Sequence, residues 1–261
     1  MIGRMFSVPA MLLLTFGVGI SAAAAAERPT PAELAAFFAD VAFGTEYLKS
    51  GSPVIQKWRQ PVRIRVSEVE GRLIEKPGGG KELKLGKLKP KPEHIALLRK
   101  HLTTLVKLTG VKSESAGTVG KPPNFFIHFV PRLAMHAPFL AKGADPNLLK
   151  KLAAPGVCYF LTAAKKGEIV WATIVVNNQL DPRAMDACLL EELTQALGLP
   201  NDSDKVMPSV FNNRATPTAL NRTDIILIKT LYDPRLAPGM NKKQAMRRAA
   251  KIIAQLDKSL P

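Results

Sequence analysis

Apolar and polar positions change period several times along this chain, and each change marks an element. Thr30-Pro31-Ala32-Glu33 open a helix, with a cap, a proline at the first position and a glutamate at the third. Leu34, Phe37, Phe38 and Val41 give it one apolar face, and Gly44 ends it. Val62, Ile64 and Val66 alternate with Arg63, Arg65 and Ser67, the period of a half-buried strand. Ile95, Leu98, Leu102, Leu105 and Val106 return to helical spacing over residues 92–108, and Gly110 stops that helix. His94 and His101 lie seven apart on it and are expected at the surface. Residues 124–130 predict a strand with Phe125, Ile127 and Phe129 on one side and His128 on the other.

A short helix is predicted around residues 147–152. Two apolar runs follow, 157–163 and 168–176, joined as a hairpin by Lys165-Lys166-Gly167. The second run is taken as an edge strand, able to pair with an extended peptide. Residues 220–231 and 242–256 predict two further helices. The last carries Ala245, Ala249, Ile252, Ile253 and Leu256 on one side, with Lys243, Arg247, Arg248 and Lys251 elsewhere. Docking back on the domain and lying on a membrane surface are both open to it.

Strands followed by helices in this order predict an α+β fold, a mixed twisted sheet packed against a helix with further helices around it. With 46% hydrophobic residues and no spanning apolar run after the N-terminus, the chain suits one domain over residues 27–240. Within that domain residues 76–91, rich in lysine, glycine and proline, are expected to form a basic loop, read as a solvated hairpin or excursion, with a grip on an anionic polymer as the other reading. Residues 241–261 are the basic amphipathic helix.

Residues 1–26 have the form of a secretory signal: Arg4, an apolar core over residues 5–20, and small residues at Ala24-Ala25-Ala26. The protein is therefore expected in the periplasm or outside the cell, cleaved near Ala26. The net charge is +16, and cleavage removes only Arg4 from it. Such a charge selects anionic partners. For an exported protein these are envelope polymers or phospholipid head groups, with no specific nucleic-acid site implied. The two cysteines, Cys158 and Cys188, are expected to form a disulfide in that oxidising compartment. A loop of that length stabilises by about 3–4 kcal/mol.

The stretch with candidate chemistry is residues 188–204, C-L-L-E-E-L-T-Q-A-L-G-L-P-N-D-S-D. Glu191 and Gln195 are four apart and share a helix face, Gly198 turns the chain, and Asn201 follows the turn. This is the spacing of H-E-x-x-H-x-x-G-x-x-H, in which two ligands share a face, a base lies between them and a third ligand follows a turn. Glu192 stands at the base position. Glu191, Gln195 and Asn201 stand where histidines bind the metal, as degenerate ligand positions.

The element order over roughly residues 60–235 resembles the zincin metalloprotease fold, its metzincin branch especially. Ser209-Val210-Phe211 is similar to the serine-isoleucine-methionine turn beneath the metal, and Leu220, Asp224, Leu231 and Tyr232 resemble the helix after it. The chain resembles more closely a proteobacterial family of exported proteins known as a domain of unknown function, DUF2927. The carrying pieces are Ile55-Gln56-Lys57-Trp58, residues 124–129, residues 191–202 and residues 231–236. The family implies no established activity. The zincin likeness implies that Gly198, Asp202, Asp204, Ser209, Phe211 and His128 support a cleft or its turn.

Zinc prefers thiolate, imidazole or carboxylate ligands, and amide oxygens are poor partners for it. Each lost ligand costs several kcal/mol, because four together supply about 10–16 kcal/mol. The reading is therefore a non-catalytic zincin-like envelope domain with no cofactor, binding a peptide or polymer in its cleft. One alternative is a metal-dependent hydrolase with an oxygen-ligand site for zinc or another divalent cation, in which Glu192 is catalytic. The other is a module that binds anionic polymer through its basic surface. Oligomeric state is left open.

Overall fold

The computed structural model describes residues 28–44, 51–116 and 120–261. The signal read in residues 1–26 therefore lies outside the described residues. Among the described residues no helix is long and apolar enough to cross a membrane. The elements are α1 (Pro31–Phe43), β1 (Val62–Glu75), β2 (Lys81–Leu88), α2 (Pro92–Thr109), β3 (Ser113–Ser115), β4 (Phe125–Val130), α3 (Pro146–Ala153), β5 (Cys158–Lys165), β6 (Glu168–Asn177), α4 (Pro182–Gln195), α5 (Arg222–Tyr232) and α6 (Lys242–Ser259). Two short 3-10 turns, Arg132–Ala134 and Pro138–Leu140, precede α3.

The strands form one mixed sheet in the order β2-β1-β4-β6-β5, with β3 beside the start of β1. β1, β4 and β6 run parallel, and the outer strands β2 and β5 run antiparallel to their neighbours. The fold is thus α+β, as the element order predicts. Alternation along the strands splits the sheet's two faces. Ile127, Phe129, Phe160, Ile174 and Val176 face a large core shared with α1, α2, α4, α5 and α6. Val130, Tyr159 and Val175 face a smaller core closed by the segment that holds the two 3-10 turns and α3. That segment is fastened by the Tyr159 hydroxyl, which donates to the Met135 carbonyl at 2.6 Å, and by Thr173, which donates to the Leu140 carbonyl at 3.0 Å.

Three expectations change, and an alternative left open for α6 is decided. β6 is an interior strand, and the edge beside it is β5. Its near-continuous apolar run, buried from Ala172 to Asn177, is what a strand covered on both faces carries. Residues 76–91 hold strand β2, because Leu83 and Leu85 alternate with lysines and give the stretch a side to bury. β1 is accordingly twice as long as its alternating start suggests.

His94 and His101 are buried, at 6% and 2% exposure. His94 Nδ1 lies 3.1 Å from Glu68 of β1 and its ring stacks on Phe129. The same Glu68 carboxylate accepts the Lys91 N–H at 2.9 Å, so an acid stands at the N-terminus of α2, where its dipole favours one. His101 Nε2 meets Asp186 and ties α2 to α4. Last, α6 docks on the domain: Ala245, Ala249, Ile252 and Ile253 are 0–1% exposed. Its apolar side is spent on the helical layer, and the membrane reading for this helix falls.

Candidate functional site

α4 begins at a firm cap, Asp181, whose carboxylate accepts from the N–H groups of Arg183 and Ala184. The disulfide between Cys158 and Cys188, with Cα atoms 6.2 Å apart, fastens the helix to edge strand β5. One turn further on, Glu191 is half-buried and Glu192 is buried at 5% exposure. Glu192 lies near enough to Tyr159 for its charge to add to burial, the larger effect, in pushing that phenol up.

Gln195 and Asn201 are brought into one network. The Gln195 amide donates to Asp202 Oδ1 at 2.7 Å. The Asn201 amide donates to the Asp202 carbonyl at 2.6 Å and to the Asp40 carbonyl at 3.3 Å. Asp40 belongs to the last turn of α1, which sequence reasoning left out of the site. Its carboxylate accepts from the Ser203 hydroxyl at 3.0 Å and pairs with Lys205 at 2.7 Å. The end of helix α1 therefore packs against the turn that carries Asn201. Among the described residues no group of three or more His, Cys, Asp or Glu gathers as a ligand set.

The turn beneath is also committed. Ser209 and Phe211 are fully buried. The Ser209 hydroxyl donates to Asp224 Oδ1 at 2.6 Å, and the same oxygen accepts the Val210 N–H at 3.2 Å. Asp224 closes the capping box of α5 with Asn221. Burial pushes its carboxyl up to about 6 against the pull of these donors. The Phe211 ring meets the Phe37 ring of α1 edge-on at 6.3 Å. Asp204 is exposed and lies 3.8 Å from Arg214, outside this network.

His128 is not brought to the site. Strand alternation places it on the other sheet face, where its Nδ1 lies 2.7 Å from the Ser67 hydroxyl across β1 and β4. Its ring packs between Phe126 and Phe139, and burial depresses its pKa to about 4.

Gly198 marks a junction that the metal reading does not anticipate. It has φ 116°, and a Cβ there would stand 2.1 Å from the Gln56 carbonyl oxygen. Around that contact the indole of Trp58 donates to the Ala196 carbonyl at 3.0 Å. The Tyr232 hydroxyl donates to the Leu197 carbonyl at 2.7 Å and accepts the Trp58 N–H at 3.3 Å. Lys57, 7% exposed, donates to the carbonyls of Leu231 and Asp233 at the end of α5. A cation there meets the negative end of the helix dipole. Burial, the dominant effect, lowers this lysine to about 8.

The three segments that meet here, residues 55–58, 196–198 and 231–233, are pieces that carried the sequence resemblance. Their joint role as a structural clasp defines a class: an α+β domain whose α4 end is sealed by a buried polar and aromatic junction. The family model described as "Protein of unknown function (DUF2927)" matches residues 31–251, and the chain belongs to that family. The match covers all of α1 and runs into α6, ending at residue 251. Neither a curated protein nor a solved structure matches the chain.

Proposed function

We propose that this chain is an exported, non-catalytic zincin-like domain that binds an extended peptide or envelope polymer. The observation that carries the reading is the commitment of the ligand positions: the amide of Gln195 bonds Asp202, and that of Asn201 bonds the end of α1. These bonds fix both NH2 groups inside the chain, and an amide turns only its oxygen to a divalent cation, a ligand that binds zinc poorly. Glu192 acts as a base only in the alternative, where a metal-bound water needs one. Export is supported by the disulfide, a bond that persists in oxidising compartments.

For the ligand, the support is β5. Among the described residues it is bordered by a strand on one side only, and its disulfide holds it beside α4. Strand addition to such an edge gives main-chain hydrogen bonds to any extended peptide. Hydrogen exchange with and without pools of short random peptides tests this. The backbone amides of Cys158–Lys165 should gain protection, with no peptide cleaved. Metal-dependent cleavage of the pools, or protection confined to other surfaces, overturns the reading.

A further inference from the structure

Strand β1 outruns the sheet. Its pairing with β4 ends at Glu68↔Phe129, whereas its pairing with β2 continues to Glu75↔Lys81. From Glu70 onward its one strand neighbour among the described residues is β2, so six residue pairs project as a two-stranded ribbon of about 20 Å. Such a ribbon is marginal in water unless one side packs on something. Its inner half does pack. Gly71 lacks a side chain where a Cβ would stand 2.9 Å from Pro131 and 3.1 Å from Leu83, and this lets Leu83 and Leu85 close on the small core.

The packing stops at Leu83. Leu73, directly across from Leu83, is 53% exposed. Leu133, in the 3-10 turn on which β2 packs, is 53% exposed as well. Lys81 and Lys87 stand on the Leu73 side of the ribbon, and Lys84 on the other. None of these three lysines enters an ion pair among the described residues; the ribbon's one pair is Arg72 with Glu70. Across residues 70–91 seven basic residues outnumber three acidic ones.

We infer that this ribbon is a docking surface for an anionic phospholipid bilayer. Unpaired lysines match head-group phosphates, and they do so beside a membrane at its interfacial layer. The leucines select the bilayer over a soluble polyanion. A polymer of phosphates needs only the cations, whereas Leu73 and Leu133 gain from a layer where apolar chains begin just below the charge. Helix α6 is excluded from this role by its covered apolar side. The surface lies on the ribbon and the small-core side, so it is independent of the α4 site and of any peptide along β5.

The test is vesicle co-sedimentation of protein as recovered from cells, its N-terminus read by mass. Vesicles of phosphatidylcholine alone are compared with vesicles that also contain phosphatidylglycerol. Two variants accompany the wild type, Lys81→Glu/Lys84→Glu/Lys87→Glu and Leu73→Ser/Leu133→Ser, each checked for an unchanged thermal transition. The wild type should bind the anionic vesicles at least about tenfold more tightly than the neutral ones, and added salt should weaken that binding. Each variant should lose about tenfold on anionic vesicles. Equal binding to both vesicles, or none, overturns the proposal. So does a leucine variant that binds like the wild type while the lysine variant loses vesicles and soluble polyphosphate alike, which assigns the ribbon to polyanions instead.

Discussion

The junction around Gly198 and the β1–β2 ribbon use polar residues in opposite ways. At the junction Lys57, Trp58 and Tyr232 are each tied to a named partner inside the chain, as are Gln195 and Asp224 in the turns that follow α4. On the ribbon Lys81, Lys84 and Lys87 have no ion partner among the described residues, and Leu73 beside them is half in water. In the sequence the α4 stretch looks like chemistry, because its spacing is that of a metal site, and the ribbon reads as a basic loop. The structure reverses the emphasis. Polar groups spent on the fold have little left to offer a ligand, while groups left over by the fold are the ones available to a partner.

If the contrast is sound, the largest effect should come from Gly198→Ala. The new Cβ meets the Gln56 carbonyl at 2.1 Å and the backbone sits at φ 116°. Two mechanisms, backbone strain and a clash with main chain, act at once. We expect a loss of more than about 4 kcal/mol by urea unfolding, with much of the protein insoluble. A soluble variant within about 1 kcal/mol of wild type would break the contrast at its firmest point.

The pH dependence comes next. His128, depressed to about 4, stays neutral in the folded protein, whereas the unfolded chain protonates it below about 6.5. Its contribution is full above 6.5 and is lost as pH falls toward 4. Asp224 runs the other way, because its carboxyl is raised to about 6. Its neutral form favours the fold at low pH, and that contribution is lost as pH rises from about 4 to about 6. The two slopes oppose each other in the same window. His128→Gln should therefore spare about 2 kcal/mol of the stability lost between pH 6.5 and pH 4.5. Asp224→Asn should steepen the acid loss. Parallel urea titrations of the two variants across this range check both signs.

Tyr232→Phe should cost about 1–3 kcal/mol, since it leaves the buried Leu197 carbonyl without its donor. Lys84→Glu on the ribbon should stay within about 0.5 kcal/mol of wild type, as surface substitutions do. Thermal melts of the two side by side sharpen the comparison, and a larger loss on the ribbon than at Tyr232 would invert it.

What the sequence discloses follows from how local each feature is. The Thr30–Glu33 box, the stop at Gly110 and the alternation in residues 124–130 lie within a few residues, and the structure has all three. The disulfide is legible from the cysteine number and from the signal pattern read in residues 1–26, and Cys158 and Cys188 are joined. The burial of His94 and His101 is not legible, because their partners Glu68 and Asp186 lie 26 and 85 residues away. Nor is Asp40, whose part in the site depends on where α1 packs. The interior place of β6 had a signal, its near-continuous apolar run. For Lys57 the sequence offers none: a lysine between Gln56 and Trp58 says nothing of the helix end it caps.

The central claim is that Glu191, Gln195 and Asn201 keep the spacing of a metal site for structural use. Metal content of the purified protein after incubation with zinc and desalting tests it most directly. The account predicts no zinc retained above the level of a Glu191→Ala variant. One zinc per chain in the wild type, lost in Glu191→Ala while the fold is kept, would contradict it and make Glu192 the base of a working hydrolase.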